Sequence, residues 1–128
     1  MTRPQGNGRL AGTTILVLED ELLVALELAM VLKSFGAKVL GPVGRADVAR
    51  KLIIAEKADG AVLDVKLDGE LSLPLARELA DTGIPVVLLT GYVRSHLPEG
   101  YDDIPLLVKP VSPQKLVDTL CHTLALTS

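Results

Sequence analysis

The sequence predicts a doubly wound α/β fold, a single parallel sheet with helices on both faces. Three observations point there. Five short aliphatic runs alternate with stretches of helical periodicity, the pattern of repeated strand–helix–strand units. The runs are continuous in Val, Ile and Leu rather than alternating with polar residues, as strands covered on both sides require. With 128 residues, 48% hydrophobic and 23% charged, the chain has the size and composition of one globular domain.

The first strand is expected at residues 14–18, followed by a helix over about 21–35. Gly36 stops that helix, because glycine adopts the left-handed C-terminal cap without steric penalty. The second strand is expected at 38–43, the second helix over about 45–56 and the third strand at 60–63. A third helix ends at Gly83, ahead of a fourth strand at 85–89 and a fifth at 104–108. The last helix opens with Ser112 as N-cap and Pro113 at its first position, then repeats Leu116, Leu120 and Leu124 on one face. Between the fourth and fifth strands Gly91, Pro98 and Gly100 leave room only for a helical turn or two at 93–97, so the fourth helix is shortened. Residues 1–12 carry Gly6, Gly8 and Gly12 and no apolar run, which reads as a flexible arm before a domain at 13–128.

Composition excludes several functions. The aromatics are Phe35, Tyr92 and Tyr101, too few for stacking platforms. A net charge of −3 with no run of Lys or Arg argues against direct nucleic-acid or anionic-membrane binding. No stretch approaches the ~20 apolar residues of a membrane span, and no signal-peptide core is present, so a cytoplasmic location is expected. Cys121 is the single cysteine and falls among apolar residues of the last helix, the place of a buried structural thiol. His96 and His122 have no partner at metal-ligand spacing. Gly41-Pro42-Val43-Gly44 lacks the Lys and Ser/Thr of a phosphate-binding loop.

In a parallel α/β sheet, functional groups collect at the carboxyl ends of the strands. After the first strand stand Glu19 and Asp20, after the third Asp64 and then Lys66, after the fourth Thr90, and after the fifth Lys109-Pro110. Crowded carboxylates repel unless a cation joins them, and an all-oxygen acidic site with room for water suits Mg²⁺. That cation draws in a phosphoryl group, whose other oxygens a hydroxyl and a Lys could hold. The most central carboxylate could itself be the nucleophile, forming an acyl phosphate.

Glu19-Asp20, Asp64, Thr90 and Lys109-Pro110, in that order and each at its own strand end, resemble the receiver domain of two-component response regulators. The likeness covers about residues 14–126. It implies a flavodoxin/CheY-like sheet of five parallel strands in the order 2-1-3-4-5. It also implies that Asp64 is the phosphoacceptor, with Thr90 and Lys109 on the phosphoryl group. Asp20 and Asp64 would ligate Mg²⁺ directly, Glu19 through water and Lys66 through its backbone carbonyl. The Lys-Pro peptide is cis in that family. Leu88-Leu89-Thr90-Gly91-Tyr92, Gly41-Pro42-Val43 and Asp68-Gly69-Glu70 further resemble the stand-alone alphaproteobacterial receivers with a Phe-Ala-Thr-Gly-type motif. In those, Phe and Ala stand where this chain has Leu88 and Leu89.

The resemblance implies a single-domain response regulator that accepts a phosphoryl group from a histidine kinase or phosphotransfer protein and signals to a downstream protein. A homodimer is left open. Leu106 occupies the place of the usual switch aromatic, and Tyr92 is expected to cover the phosphoryl group instead. On the first helix, Val24, Leu28, Val31 and Phe35 form a stripe expected to face the sheet, while Leu22, Leu26, Ala29 and Met30 form a second stripe suited to docking a partner. Two other readings stand beside this one. A pseudo-receiver adaptor would not need the full acidic and basic set. An aspartyl-phosphate phosphatase of the haloacid dehalogenase type wants a second Asp where Lys66 stands.

Overall fold

The structure, a computed structural model, describes residues 8–67, 70–91 and 99–125, with 66–67 and 70–71 described in backbone alone. The elements run β1 (Thr14–Leu18), α1 (Leu22–Ser34), β2 (Lys38–Val43), α2 (Ala46–Ala55), β3 (Gly60–Asp64), β4 (Lys66–Leu67), β5 (Glu70–Leu71), α3 (Leu73–Asp81), β6 (Val86–Thr90), β7 (Leu106–Val108) and α4 (Pro113–Thr123). Five of the strands pair in parallel as β2-β1-β3-β6-β7, which in chain order of those five is 2-1-3-4-5. This is the flavodoxin/CheY-like topology, and it brings the carboxyl ends of β1, β3, β6 and β7 to one edge.

Alternate residues of each strand point to opposite faces, so one aliphatic run fills two cores. Ile15, Val17, Val62, Val87 and Leu89 pack under α1 and α4 with Leu28, Leu32, Leu116 and Leu120. Leu16, Leu18, Ala61, Leu63, Val86 and Leu88 pack under α2 and α3 with Ala49, Leu75, Ala76 and Leu79. Cys121 is buried in the first of these cores. Ser112 accepts from the Lys115 amide and so caps α4. Gly36 and Gly83 follow their helices at φ 98° and 89°. The Gly41-Pro42 and Lys109-Pro110 peptides are both cis.

Four expectations change. Within residues 8–12, expected as part of a free arm, Leu10 is fully buried beside Phe35, and its amide donates to the Phe35 carbonyl at 2.8 Å. Arg9 also pairs with Asp118 of α4 at 2.6 Å. Ala29, expected on the outer stripe of α1, is 5% exposed and faces inward with Ala25. The two small side chains turn that face of α1 to the sheet, leaving Val24 and Val31 half-buried at its flank. Leu22, Leu26 and Met30 do lie outside, at 69%, 46% and 71% exposure, and Leu23 joins them. The fifth parallel strand begins at Leu106 rather than at 104, because Pro105 has no amide to donate; its carbonyl still accepts from Leu88 at 2.9 Å. Finally, β4 and β5 form a small antiparallel hairpin between β3 and α3, too short to register as periodicity. The shortened helix expected at 93–97 and Tyr92 lie outside the described residues.

Candidate functional site

Each candidate group is placed by the strand it terminates. Glu19 follows β1 and is buried, its amide donating to the Val43 carbonyl of the neighbouring strand at 2.9 Å. Asp64 is the last residue of β3, in register with Leu89 of β6, and is buried as well. Thr90 closes β6, also buried, and its carbonyl accepts from the Lys109 amide at 2.7 Å. That bond extends the β6–β7 ladder past Val108 and fixes where Lys109 leaves the sheet.

The side chains meet across this edge. The Lys109 ammonium lies 2.9 Å from Glu19 Oε1 and 3.2 Å from Asp64 Oδ2. The other Glu19 oxygen, Oε2, accepts from the Glu21 amide at 3.0 Å. Glu19, Asp20 and Asp64 each offer a carboxylate oxygen, and these oxygens lie within 4.8 Å of one another. Burial first, and the Glu19 charge second, push the Asp64 carboxyl up to about 6, against the opposing pull of Lys109. Burial alone would lower the Lys109 ammonium, but its bond to Glu19 and the charges of Asp64 and Glu19 outweigh that, and its pKa is raised.

Such a site is under electrostatic tension, since among the described residues three carboxylates crowd together and Lys109 pairs with two of them. A divalent oxygen-seeking cation relieves it, so the donor set fits Mg²⁺. Lys66 stands two residues beyond Asp64 at the start of β4, with its backbone beside the cluster in sequence. Leu106 lies on β7, half-buried against the core under α2 and α3, and offers no hydroxyl to a relay. Beside Lys109 a cavity of ≈ 400 Å³ opens between α1 and the segment that leads from β7 into α4, lined by Val24, Glu27, Leu28, Leu89, Pro110 and Val111. No helix among the described residues is long and apolar enough to cross a membrane.

Ser72 was not singled out by the sequence. It is fully buried, and its hydroxyl donates to the backbone carbonyl of Asp64. Nothing local marks it, because the bond spans the β4–β5 hairpin.

No protein-family model matches the chain. It is 32% identical over 110 residues to the transcriptional regulatory protein PdtaR of Mycobacterium tuberculosis, covering 83% of this chain and 54% of that protein. The chain spans about half the length of the curated relatives it matches. Among solved structures, SdrG from Pseudomonas melonis Fr1 in its BeF3-activated conformation is 33% identical, with a TM-score of 0.76 over 89% of this chain and 98% of that one. The response regulator PhyR from Brucella abortus is 26% identical, with a TM-score of 0.77 over 96% of this chain and 49% of that one.

Proposed function

This chain belongs to the receiver-domain family of response regulators in two-component signalling, and on that premise we propose that Asp64 accepts a phosphoryl group from the phosphohistidine of a histidine kinase or phosphotransfer protein. The observation that carries this reading is the convergence of Glu19, Asp20, Asp64 and Lys109, from three strands, on one edge, with Glu19 and Asp64 buried. A structural relative at 33% identity exists in a conformation activated by BeF3, a stand-in for a phosphoryl group, which supports the same chemistry here.

In the transfer, an Asp64 carboxylate oxygen forms the new P–O bond while the P–N bond to the donor imidazole breaks. The imidazole nitrogen keeps the electron pair and regains a proton. Bound Mg²⁺ would supply charge neutralisation to the incoming phosphoryl oxygens. Asp20 and Asp64 would hold it directly, and the Lys66 carbonyl would complete the protein ligands. Glu19, with both oxygens already engaged by Lys109 and Glu21, suits a water-mediated role. Lys109 is held at the acceptor by its two carboxylate partners and presents its charge to the phosphoryl group. Thr90, one register step from the Asp64 partner Leu89, would hydrogen-bond the same group.

Phosphorylation adds charge at the end of β3 and biases the segment after Thr90. Output passes by altered protein–protein contacts to a downstream partner. Leu106 takes no polar part in that step. The donor helix docks beside α1, where Leu22, Leu26 and Met30 are exposed and the cavity next to Lys109 accepts apolar side chains. Incubation with acetyl phosphate and Mg²⁺ should give a phosphoryl adduct by intact mass, lost in Asp64→Asn. Labelling that survives Asp64→Asn, or no labelling of the parent protein, overturns the reading.

A further inference from the structure

Asp64 is followed by an excursion that leaves the sheet and returns to it. Lys66 pairs with Leu71 and Leu67 with Glu70, so the excursion is a hairpin, and Ser72 stands at its root. The Ser72 amide donates to the Val65 carbonyl at 3.1 Å. Its hydroxyl donates to the Asp64 carbonyl, with the Val65 carbonyl also in reach at 3.3 Å. The Val65 amide in turn donates to Leu89 of β6 at 2.8 Å, anchoring the clasp to the sheet.

Ser72 occupies the N-cap position of α3, where a serine hydroxyl ordinarily accepts from a helix amide. Here it does not. Its backbone is helical, at φ −90° and ψ −2°, and its side chain makes no cap hydrogen bond. The hydroxyl is instead directed back to the carbonyl eight residues earlier, in a fully buried position.

We propose that Ser72 is a positioning residue for phosphoryl transfer, clasping the root of the hairpin so that the Asp64 carboxylate and the Lys66 carbonyl are held in place for phosphoryl group and metal. The inference rests on Asp64 being the phosphoacceptor. Without the hydroxyl, a buried carbonyl loses its donor, and the Asp64–Val65 peptide is held only through the Val65 amide bond to Leu89. A displacement on the order of 1 Å at a reacting group costs roughly 100-fold in rate.

The test measures acetyl phosphate labelling against Mg²⁺ concentration for Ser72→Ala, beside two controls. Thr13→Ala removes a comparable buried bond, from Thr13 Oγ1 to the Leu10 carbonyl at 2.6 Å, at the opposite end of β1. Asp64→Asn tests the acceptor itself. Ser72→Ala should label roughly 10- to 100-fold more slowly at saturating Mg²⁺ and need more Mg²⁺ for half-maximal rate, the usual scale for losing a partner that orients a ligand. Thr13→Ala should label at the parental rate despite a lower Tm, and Mg²⁺ binding followed by NMR shifts should weaken in Ser72→Ala but not in Thr13→Ala. Parental labelling and Mg²⁺ affinity in Ser72→Ala overturn the clasp, as does equal slowing in Thr13→Ala. If Ser72→Ala does not fold, Ser72→Cys decides, a slightly larger side chain with a weaker donor: slowed labelling supports the clasp and parental labelling overturns it. Loss of labelling in Asp64→Asn with normal Ser72→Ala leaves the phosphoacceptor standing and removes only the clasp. A parent protein that does not label removes both.

Discussion

The ammonium of Lys109 sits 2.9 Å from the fully buried carboxylate of Glu19, and this one contact joins the first and last strand ends of the acidic edge. Replacing the cation by Lys109→Met leaves Glu19 buried and held by the Glu21 amide. Breaking a buried pair from one side costs about 3–5 kcal/mol, and since Lys109 is partly open to water the loss here should be about 3 kcal/mol or less in metal-free protein. Urea unfolding with EDTA measures it. The same substitution removes a charge that holds the Asp64 carboxyl down, so its NMR titration midpoint should rise above about 6.

The raised pKa of Asp64 gives a pH dependence of definite sign. A carboxyl at about 6 in the fold and at its ordinary value near 4 when unfolded binds its proton more tightly in the fold. Its favourable contribution is complete at low pH and is lost as pH rises through 6. Metal-free protein should therefore lose about 1 kcal/mol from this group between pH 5 and pH 7, a slope absent in Asp64→Asn. Urea unfolding at those two pH values checks the difference between the two proteins. Saturating Mg²⁺ favours the ionised carboxylate and should flatten the slope.

The strand ends were legible because each aliphatic run stops at a polar residue, and parallel topology sends those stops to one edge. Glu19, Asp64, Thr90 and Lys109 needed no knowledge of side-chain geometry to be brought together. Ala29 was misplaced for a physical reason: α1 is apolar around most of its wheel, so periodicity alone does not say which stripe packs. Ser72 was invisible because its partner is a backbone carbonyl across a hairpin of two-residue strands. The Glu19–Lys109 contact was not read as an ion pair, because both residues were assigned to the metal and phosphoryl group.

Arg77 of α3 reaches Asp103 with both terminal nitrogens, at 2.8 and 2.9 Å, and donates to the Gly100 carbonyl at 2.8 Å. This ties α3 to the segment entering β7. The Arg77 hydrogen bonds hold the Asp103 carboxyl down to about 2. Its contribution is present above the unfolded value and is lost as pH falls toward 2. In Arg77→Ala the Asp103 carboxyl should return to the ordinary carboxylate range by NMR titration. An unchanged midpoint would show that the pair does not form in solution.

Leu26 is exposed on α1, so Leu26→Glu adds charge without emptying the core. Tm and acetyl phosphate labelling should stay at parental values. Phosphotransfer from the cognate kinase should slow, since a carboxylate on the docking stripe must be desolvated against an apolar partner. Loss of acetyl phosphate labelling as well would place Leu26 in the chemistry rather than in docking, and unchanged transfer would move the docking face elsewhere.

Leu10 separates a free arm from a built-in one. A leucine in a mobile segment contributes nothing to the core, and Leu10→Ala would then leave unfolding unchanged. In the structure Leu10 is wholly buried with Phe35, Ile15 and Cys121 in the core under α1 and α4. Its amide is spent on the carbonyl that ends α1, and the Thr13 amide and hydroxyl both donate to its own carbonyl. The backbone is therefore fixed around the side chain, and neighbouring residues cannot easily collapse into the space that truncation leaves. Leu10→Ala should cost about 2–4 kcal/mol in urea unfolding, in the range of buried leucine truncations. Ala11→Gly, at an exposed neighbouring position, should cost much less and controls for backbone effects. A cost near zero for Leu10→Ala would return residues 8–12 to the arm and take the Leu10 plug out of the core.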